Sequence, residues 1–273
     1  MVADSLFPLR RTAWILILLM EGLLLTTGCR ASSKTAASAG ADIVIFVDFS
    51  ASIRDEDKAL FEQDIQKRII PSLSAADRIR IAPINDKTLT DFRPLLEVAF
   101  PPKREFTGWL DNVLEYKRKA KDIDDQMVRL RESVGEEVRA IFKKGFSSQQ
   151  TDIFSSLLIA QKLFRNESRH KVLVLMSDMI EDYPPYNFEK IAWSPDTTEK
   201  LLAELETKGL IPNLSGVCVY VSGISAASAD LAGKIEHFWK AYFQRTKADM
   251  DPSRYAHVLL HWPPSASCHH PKS

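Results

Sequence analysis

Oxygen-bearing side chains follow three predicted structural elements at positions where they could hold a metal ion. Asp48, Ser50 and Ser52 alternate in the run DFSAS, directly after an apolar stretch. Thr151 opens the run TDIFSSL, and Asp178 follows the apolar run VLVLMS. Two carboxylates and three hydroxyls are hard oxygen ligands, which suit a small cation such as Mg²⁺ or Mn²⁺. So few protein charges leave a coordination position open, and an acidic ligand from another molecule could fill it.

These side chains need elements that bring them together, and the chain alternates between predicted strands and helices. Apolar or alternating runs predict six strands, at 42–48, 78–84, 94–100, 171–176, 216–221 and 255–260. Helical periodicity predicts helices at 55–69, 105–145, 152–165, 197–208 and 227–245. This alternation is typical of an α/β fold: a doubly wound, mostly parallel six-stranded sheet with helices on both faces. Ligands of such sheets bind outside the carboxyl ends of the strands, where Asp48 and Asp178 stand.

Taken together, the three loops resemble the metal-ion-dependent adhesion site of the von Willebrand factor type A (vWA) family. The run DFSAS fits that family's DxSxS motif, and the later Thr and Asp match its second and third loops. The resemblance covers residues 41–262. It implies that the hydroxyls of Ser50, Ser52 and Thr151 touch the metal directly. It also implies that Asp48 and Asp178 act largely through water.

The sequence departs from the vWA pattern at two places next to these loops. The family often has Gly directly after the third-loop Asp, and this chain has Met179. It often has Gly before the Thr, where this chain has Gln149 and Gln150. An alternative interpretation needs no metal, because Asp48 and Thr151 could simply cap helices, as Asp and Thr often do.

The first forty residues predict export and a lipid anchor. Arg10 and Arg11 precede the run AWILILLMEGLLLTTG, which ends at Cys29 and contains Glu21. A basic start followed by a short apolar run is typical of a secretory signal, and the run is short and polar for a membrane span. The segment LTTGC resembles a bacterial lipobox, although Thr26 stands where an aliphatic residue is usual. The resemblance implies cleavage before Cys29 and lipidation of its thiol; an uncleaved signal anchor is the alternative.

These features divide the chain into four predicted parts. Residues 1–28 form a signal peptide, 29–40 a flexible tether, 41–262 a vWA-like domain with a long helical insertion at about 105–145, and 263–273 a disordered tail. The expected location is the bacterial cell envelope. Since Arg30 rather than Asp follows the cysteine, resemblance to lipoprotein sorting favours the periplasmic face of an outer membrane in a diderm organism.

The charge balance argues against nucleic-acid binding, and the cysteines limit which disulfides the chain can form. It has 36 Lys and Arg against 36 Asp and Glu, so no overall field attracts nucleic acid. The three cysteines form no CxxC pair. With Cys29 lipidated, Cys218 and Cys268 could form a disulfide in an oxidising compartment. The favoured alternative is a Cys218 buried in a strand and a loose Cys268 in the tail, because sequence does not establish disulfide geometry.

The predicted helix at 105–145 is longer than a compact domain requires. Apolar residues recur at heptad spacing at Trp109, Val113, Tyr116, Ala120, Ile123, Met127, Leu130 and Val134. One hypothesis is a helix that binds a partner or self-associates. The other is one or two ordinary helices packed on the sheet, with a break near Gly135.

The residues favour a binding module over an enzyme. The metal would join the protein to an acidic residue of a protein partner, and Glu181 and Asp182 could extend the rim of the site or lie in a solvated loop. A metal-free scaffold acting through the long helix is the first alternative. A metal-dependent phosphate-ester hydrolase is less favoured, because DFSAS lacks a second Asp and no Lys or Arg stands at a strand end to hold phosphate.

Overall fold

The computed structural model describes residues 40–86, 89–103, 105–106, 108, 112–146, 148–265 and 268. The predictions for the signal peptide, for Cys29, for most of the tether and for Trp109 lie outside these residues. None of the helices in the described part of the chain is long and apolar enough to cross a membrane.

The described residues form the predicted strands and helices. The strands are β1 (Ala41–Asp48), β2 (Arg78–Ile84), β3 (Leu96–Ala99), β4 (His170–Met176), β5 (Asp182–Tyr183), β6 (Tyr186–Asn187), β7 (Val217–Ser222) and β8 (Tyr255–Ala256). The helices are α1 (Asp55–Asp64, continuing as the π-helical Ile65–Ile69 and the last turn Ile70–Ser72), α2 (Val113–Lys144), α3 (Ile153–Phe164), α4 (Pro195–Thr207) and α5 (Ala229–Thr246). The hairpin β5–β6 has no counterpart in the prediction.

Six strands form one sheet in the order β3-β2-β1-β4-β7-β8. All neighbours are parallel except β3, which is antiparallel to β2 and lies at an edge, as its preceding Pro94 predicts. The predicted strand 255–260 is shorter than expected. Beyond β8, the Leu259 N–H donates to Asp64 Oδ2 at 2.9 Å instead of pairing with β7.

The fold class is therefore the predicted one, with helices on both faces of the sheet. Ile43, Ile45 and Val47 of β1 pack on the face covered by α1 and α2. Val44 and Phe46 point to the opposite face, which α3, α4 and α5 cover. Because successive side chains of a strand alternate, the middle of a strand that is buried on both sides is apolar, as β1 is from Ile43 to Val47.

The long insertion is a single helix that is buried over only part of its length. Asn112 caps α2, its side chain accepting hydrogen bonds from the backbone N–H groups of Leu114 and Glu115. The helix continues unbroken through Gly135, whose carbonyl accepts a 2.6 Å hydrogen bond from Gln66 Nε2 on α1. Its buried side chains all lie between Met127 and Ile141, at Met127, Val134, Val138 and Ile141. The predicted seam thus packs within the chain from Met127 onward.

Cys218 and Cys268 are joined by a disulfide, so the favoured expectation of a loose Cys268 was wrong. Their Cα atoms are 5.8 Å apart and both residues are buried. The tail folds back over β7, where the Trp262 ring lies 5.2 Å from that of Tyr220. His170 also lies near the two sulfurs, but sulfurs bonded to each other are not available as thiolate ligands for a metal.

Candidate metal centre

The predicted site lies where the strand order reverses. From β1 the chain moves outward to β2 and β3, and it then returns to the other side of β1 as β4. β1 ends at Asp48, and β4 ends at Met176, two residues before Asp178. Because β1 and β4 are parallel neighbours, their carboxyl ends open a crevice at the same edge of the sheet.

Asp48 is the centre of the cluster. Its side chain is fully buried, and its Oδ1 accepts a 2.8 Å hydrogen bond from the Ser50 N–H. Its Oδ2 accepts a 2.9 Å hydrogen bond from Ser177 Oγ. The Thr151 side chain lies near this carboxylate and lowers its pKa. Burial raises the pKa of Asp48, and these hydrogen bonds oppose that rise.

The two serines of the first loop lie side by side. Ser50 Oγ and Ser52 Oγ are 2.9 Å apart; Ser50 is buried and Ser52 is exposed. The Ala51 N–H donates to the Ser148 carbonyl at 3.2 Å, which ties the loop to the segment that follows α2. The i, i+2 spacing therefore places one hydroxyl inside the site and one at its mouth.

Thr151 is held by backbone pairing with the third loop. Its N–H donates to the Asp182 carbonyl at 3.3 Å, and the Asp182 N–H donates to the Thr151 carbonyl at 3.0 Å. The N-cap of α3 is Asp152, and that of α1 is Arg54. Asp48 and Thr151 are thus not the N-caps of α3 and α1, and metal binding by these residues stays a prediction.

Asp178 brings a second carboxylate to the crevice. It is buried, and its Oδ1 accepts a 2.9 Å hydrogen bond from the Ile180 N–H. Burial, and then the negative charge of Asp48, raise the pKa of Asp178 to about 7. The buried Asp178 carboxyl is therefore close enough to Asp48 for the charge of Asp48 to disfavour its ionisation.

Met179 occupies the position where the vWA pattern often has Gly, and its φ is 66°. This left-handed conformation is unusual for Met, which explains why Gly suits the position. Met179 is nevertheless fully buried in the core between the sheet and α5, and its carbonyl accepts a 2.8 Å hydrogen bond from Trp239 Nε1. Packing and this hydrogen bond hold the third loop in place.

Glu181 is fully buried, so the expectation that it lies in a solvated loop was wrong for this residue. Its Oε2 accepts hydrogen bonds from the N–H groups of Ile153 at 2.8 Å and Phe154 at 3.3 Å. Its Oε1 has no hydrogen-bond partner among the described residues. Burial, and then the charge of Asp152, raise the pKa of Glu181 well above its ordinary value. Asp182, by contrast, is exposed.

An open pocket of about 460 Å³ lies at the mouth of the site. Its lining includes Ser52 and Asp178 of the site, together with Arg54, Ile180, Asp182, Glu189, Ser225, Ala226 and Ala227. The Arg54 side chain is 63% exposed and forms a 2.8 Å ion pair with Asp57. A ligand in this pocket would meet one cationic and several acidic side chains beside the site.

The five predicted residues offer a donor set that fits a hard divalent cation. All the donors are oxygen, and no Lys or Arg in the described part of the chain forms an ion pair with Asp48 or Asp178. Burial and then the charge of Asp48 raise the pKa of Asp178, and a cation would favour the ionised form of this carboxyl. This set suits Mg²⁺ or Mn²⁺.

Sequence reasoning missed two contributors to the site. Ser177 was not assigned a role, although it stands directly before Asp178 and holds Asp48. Arg54 was missed because its position on the pocket depends on how the loop between β1 and α1 turns. The position of Ser177 at a strand end was a usable signal; for Arg54 the sequence contains none.

Comparison with known proteins finds no matching protein-family model and no matching curated protein. Matching solved structures include the manganese-loaded TRAP protein of Plasmodium vivax, at 14% identity and TM-score 0.35, over 74% of this chain and 64% of that chain. They also include the VWA domain of SpRpn10, at 10% identity and TM-score 0.31, over 81% of this chain and 87% of that chain. This chain thus spans less than two thirds of the TRAP chain. At these TM-scores the fold class rests on the strand order and helices described above.

Proposed function

We propose that this protein is a binding module that uses a divalent cation to engage an acidic group of a protein partner. The observation that carries the proposal is the grouping of two buried carboxylates and three hydroxyls at the reversal of strand order, beside an open pocket. Mg²⁺ or Mn²⁺ is the proposed ion. When bound, it supplies positive charge that attracts a carboxylate of the partner.

The residues divide into those that hold the ion and those that keep them in place. Ser50, Ser52 and Thr151 supply hydroxyl oxygens, and Asp48 and Asp178 supply negative charge. Ser177 orients Asp48 through its 2.9 Å hydrogen bond. Because Ser52 and Asp178 also line the pocket, the partner's acidic group would approach from that side.

The rim of the pocket would select the partner. Asp182 and Glu189 are exposed and repel a surface that is acidic throughout. Arg54 attracts acidic groups, and its ion pair with Asp57 fixes where its charge lies. A single acidic side chain in an otherwise neutral or basic surface matches this arrangement best.

We also propose that the domain is exported and held at the envelope by a lipid on Cys29. The support is the basic start, the apolar run and the LTTGC segment. Mass spectrometry of the mature protein tests it: the expected N-terminus is a lipid-modified Cys29. An unmodified Cys29 within an intact leader would contradict lipidation and favour the uncleaved anchor.

Thermal unfolding of the chain in chelator and in millimolar Mg²⁺ or Mn²⁺ tests the metal site. At ten times the dissociation constant, an ion stabilises the native state by about 1.4 kcal/mol. For a domain of this size the expected rise in Tm is about 3–6 °C. Asp178→Asn keeps the shape of the side chain but removes its charge, and we expect it to abolish the rise.

Ser52→Ala and Ser225→Ala form a matched pair for the same experiment. Both serines line the pocket, but only Ser52 belongs to the proposed donor set. We expect the rise in Tm to shrink in Ser52→Ala and to persist in Ser225→Ala. Equal rises in all variants would place the ion elsewhere and remove this function.

A further inference from the structure

The first half of α2 extends away from the metal site. At the carboxyl end of α2, the ring of Phe142 lies 5.3 Å from the ring of Phe49, which directly follows Asp48. Arg131, farther back along the helix, donates to the Leu73 carbonyl beyond the end of α1. The last turn of α2 therefore lies near the metal site. Followed back towards its start, the helix runs towards the opposite end of the sheet.

The start of β1 lies at that opposite end. The Gly40 carbonyl accepts a 3.0 Å hydrogen bond from the His170 N–H, and the Ala41 N–H donates to Asp77 Oδ1 at 2.6 Å. Asp77 also accepts from the Ser74 N–H, one residue after the Leu73 that Arg131 contacts. Gly40 and the start of β1 thus lie at the level of Arg131.

From Arg131 the helix continues 18 residues to Val113, roughly 27 Å at 1.5 Å per residue. We use the name α2 tip for residues 112–121 with the adjoining Lys103, Glu105 and Phe106. The Phe106 and Tyr116 rings lie 5.1 Å apart, which ties the adjoining segment to the helix. The α2 tip thus projects from the end of the domain where β1 starts.

The α2 tip combines exposed apolar and basic side chains. Leu114 is 78% exposed, Val113 51% and Phe106 48%. Exposed basic residues accompany them at Lys103, Lys117, Arg118, Lys119 and Lys121. Between residues 103 and 121 the sequence has six Lys or Arg against three Asp or Glu, although the whole chain is neutral. Apolar side chains beside basic ones are the composition of surfaces that bind anionic lipid headgroups.

We propose that the α2 tip rests on an anionic phospholipid surface. Charge complementarity supports this occupant, because exposed basic side chains surround the exposed apolar ones on the tip. The metal site, at the other end of β1, would then face away from the lipid and stay open to a partner. This inference does not depend on metal binding or on lipidation of Cys29.

Fluorescence quenching at two matched positions of α2 tests the proposal. Val113 and Val128 are both 51% exposed, but only Val113 lies on the tip. The full chain with Cys29→Ser carries an environment-sensitive label at Val113→Cys or Val128→Cys, and Cys218 and Cys268 stay in their disulfide. Vesicles contain phosphatidylcholine alone or with phosphatidylglycerol, and their acyl chains carry a spin-label quencher.

We expect several-fold stronger quenching at Val113→Cys than at Val128→Cys, only in vesicles with phosphatidylglycerol. Salt at 1 M, where the Debye length is about 3 Å, should remove the difference. Lys117→Glu should also remove it, whereas Lys143→Glu, an exposed lysine at the other end of α2, should leave it unchanged.

Equal quenching at the two positions, or equal quenching with and without phosphatidylglycerol, would overturn the proposal. So would protection of the Val113 label without vesicles together with a concentration-dependent rise in mass. That result would assign the α2 tip to contact between copies of the chain.

Discussion

Ser177 Oγ donates a 2.9 Å hydrogen bond to Asp48 Oδ2, which joins the end of β4 to the end of β1 inside the protein. Both side chains are fully buried. Ser177 Oγ also accepts a 3.0 Å hydrogen bond from the Met179 N–H. One hydroxyl thus positions the central carboxylate of the site and the loop that carries Asp178.

Replacing this hydroxyl should weaken both stability and metal binding. In Ser177→Ala, a buried carboxylate oxygen loses its partner, which costs about 1–3 kcal/mol of unfolding free energy. Loss of a group that orients a ligand typically lowers metal affinity by about 10–100-fold. Denaturant unfolding and Mn²⁺ titration measure the two effects.

Ser222→Ala is the control, because Ser222 is equally buried but bonds to Asp64, away from the proposed ligands. Loss of Mn²⁺ affinity in both variants would contradict a specific role for Ser177.

The stability of the metal-free protein should fall as pH rises, partly because of Glu181. Burial raises the pKa of Glu181 in the folded state well above its ordinary value, whereas the unfolded chain keeps a pKa of about 4.3. Below about pH 4.3 both states hold the proton and the contribution is fully present. It is lost as pH rises towards the folded pKa, by up to about 1.4 kcal/mol per pH unit.

Glu181→Gln should make this dependence shallower, because Gln cannot ionise and its side-chain oxygen still accepts from Ile153 and Phe154. Denaturant unfolding in chelator between pH 5 and 8 gives the slope. Asp178, whose pKa is raised to about 7, remains in both proteins, so some slope persists. Identical slopes in the two proteins would mean that Glu181 does not titrate as described.

The disulfide should contribute strongly to stability. Cys218 and Cys268 are separated by 50 residues, and a crosslink over that distance restricts the unfolded chain. We expect Cys268→Ser to lower the unfolding free energy by about 2–5 kcal/mol. Calorimetry with and without reductant measures it. Reductant should destabilise the natural chain and leave Cys268→Ser unchanged; equal effects on both would place the redox sensitivity elsewhere.

The two halves of α2 should respond differently to truncation. Val138 is fully buried, and Val138→Ala should cost about 1–3 kcal/mol from lost burial and the cavity that remains. Val113→Ala is the matched control, because Val113 is 51% exposed. We expect its unfolding free energy to stay within about 0.5 kcal/mol of the natural chain. Equal losses would mean that the tip packs on the domain in solution.

Much of the fold and the grouping of the five predicted residues followed from local sequence. β1, β2 and β4 are apolar or alternating runs, and the period of a strand is visible in a short window. Asp48 and Asp178 stand at or just beyond the ends of two of these runs. Since carboxyl ends of parallel neighbours share one edge of a sheet, their proximity could be inferred without coordinates. That they bind metal remains a prediction.

Long-range packing decided the rest. Cys268 is tied to Cys218 because the tail folds back over β7, and no spacing in the sequence specifies that path. Glu181 is buried because the third loop lies against the start of α3. The apolar seam of α2 is regular in sequence, yet the buried side chains of the helix lie only between Met127 and Ile141. Local pattern determines which side chains can be buried, whereas contacts between distant segments determine which of them are.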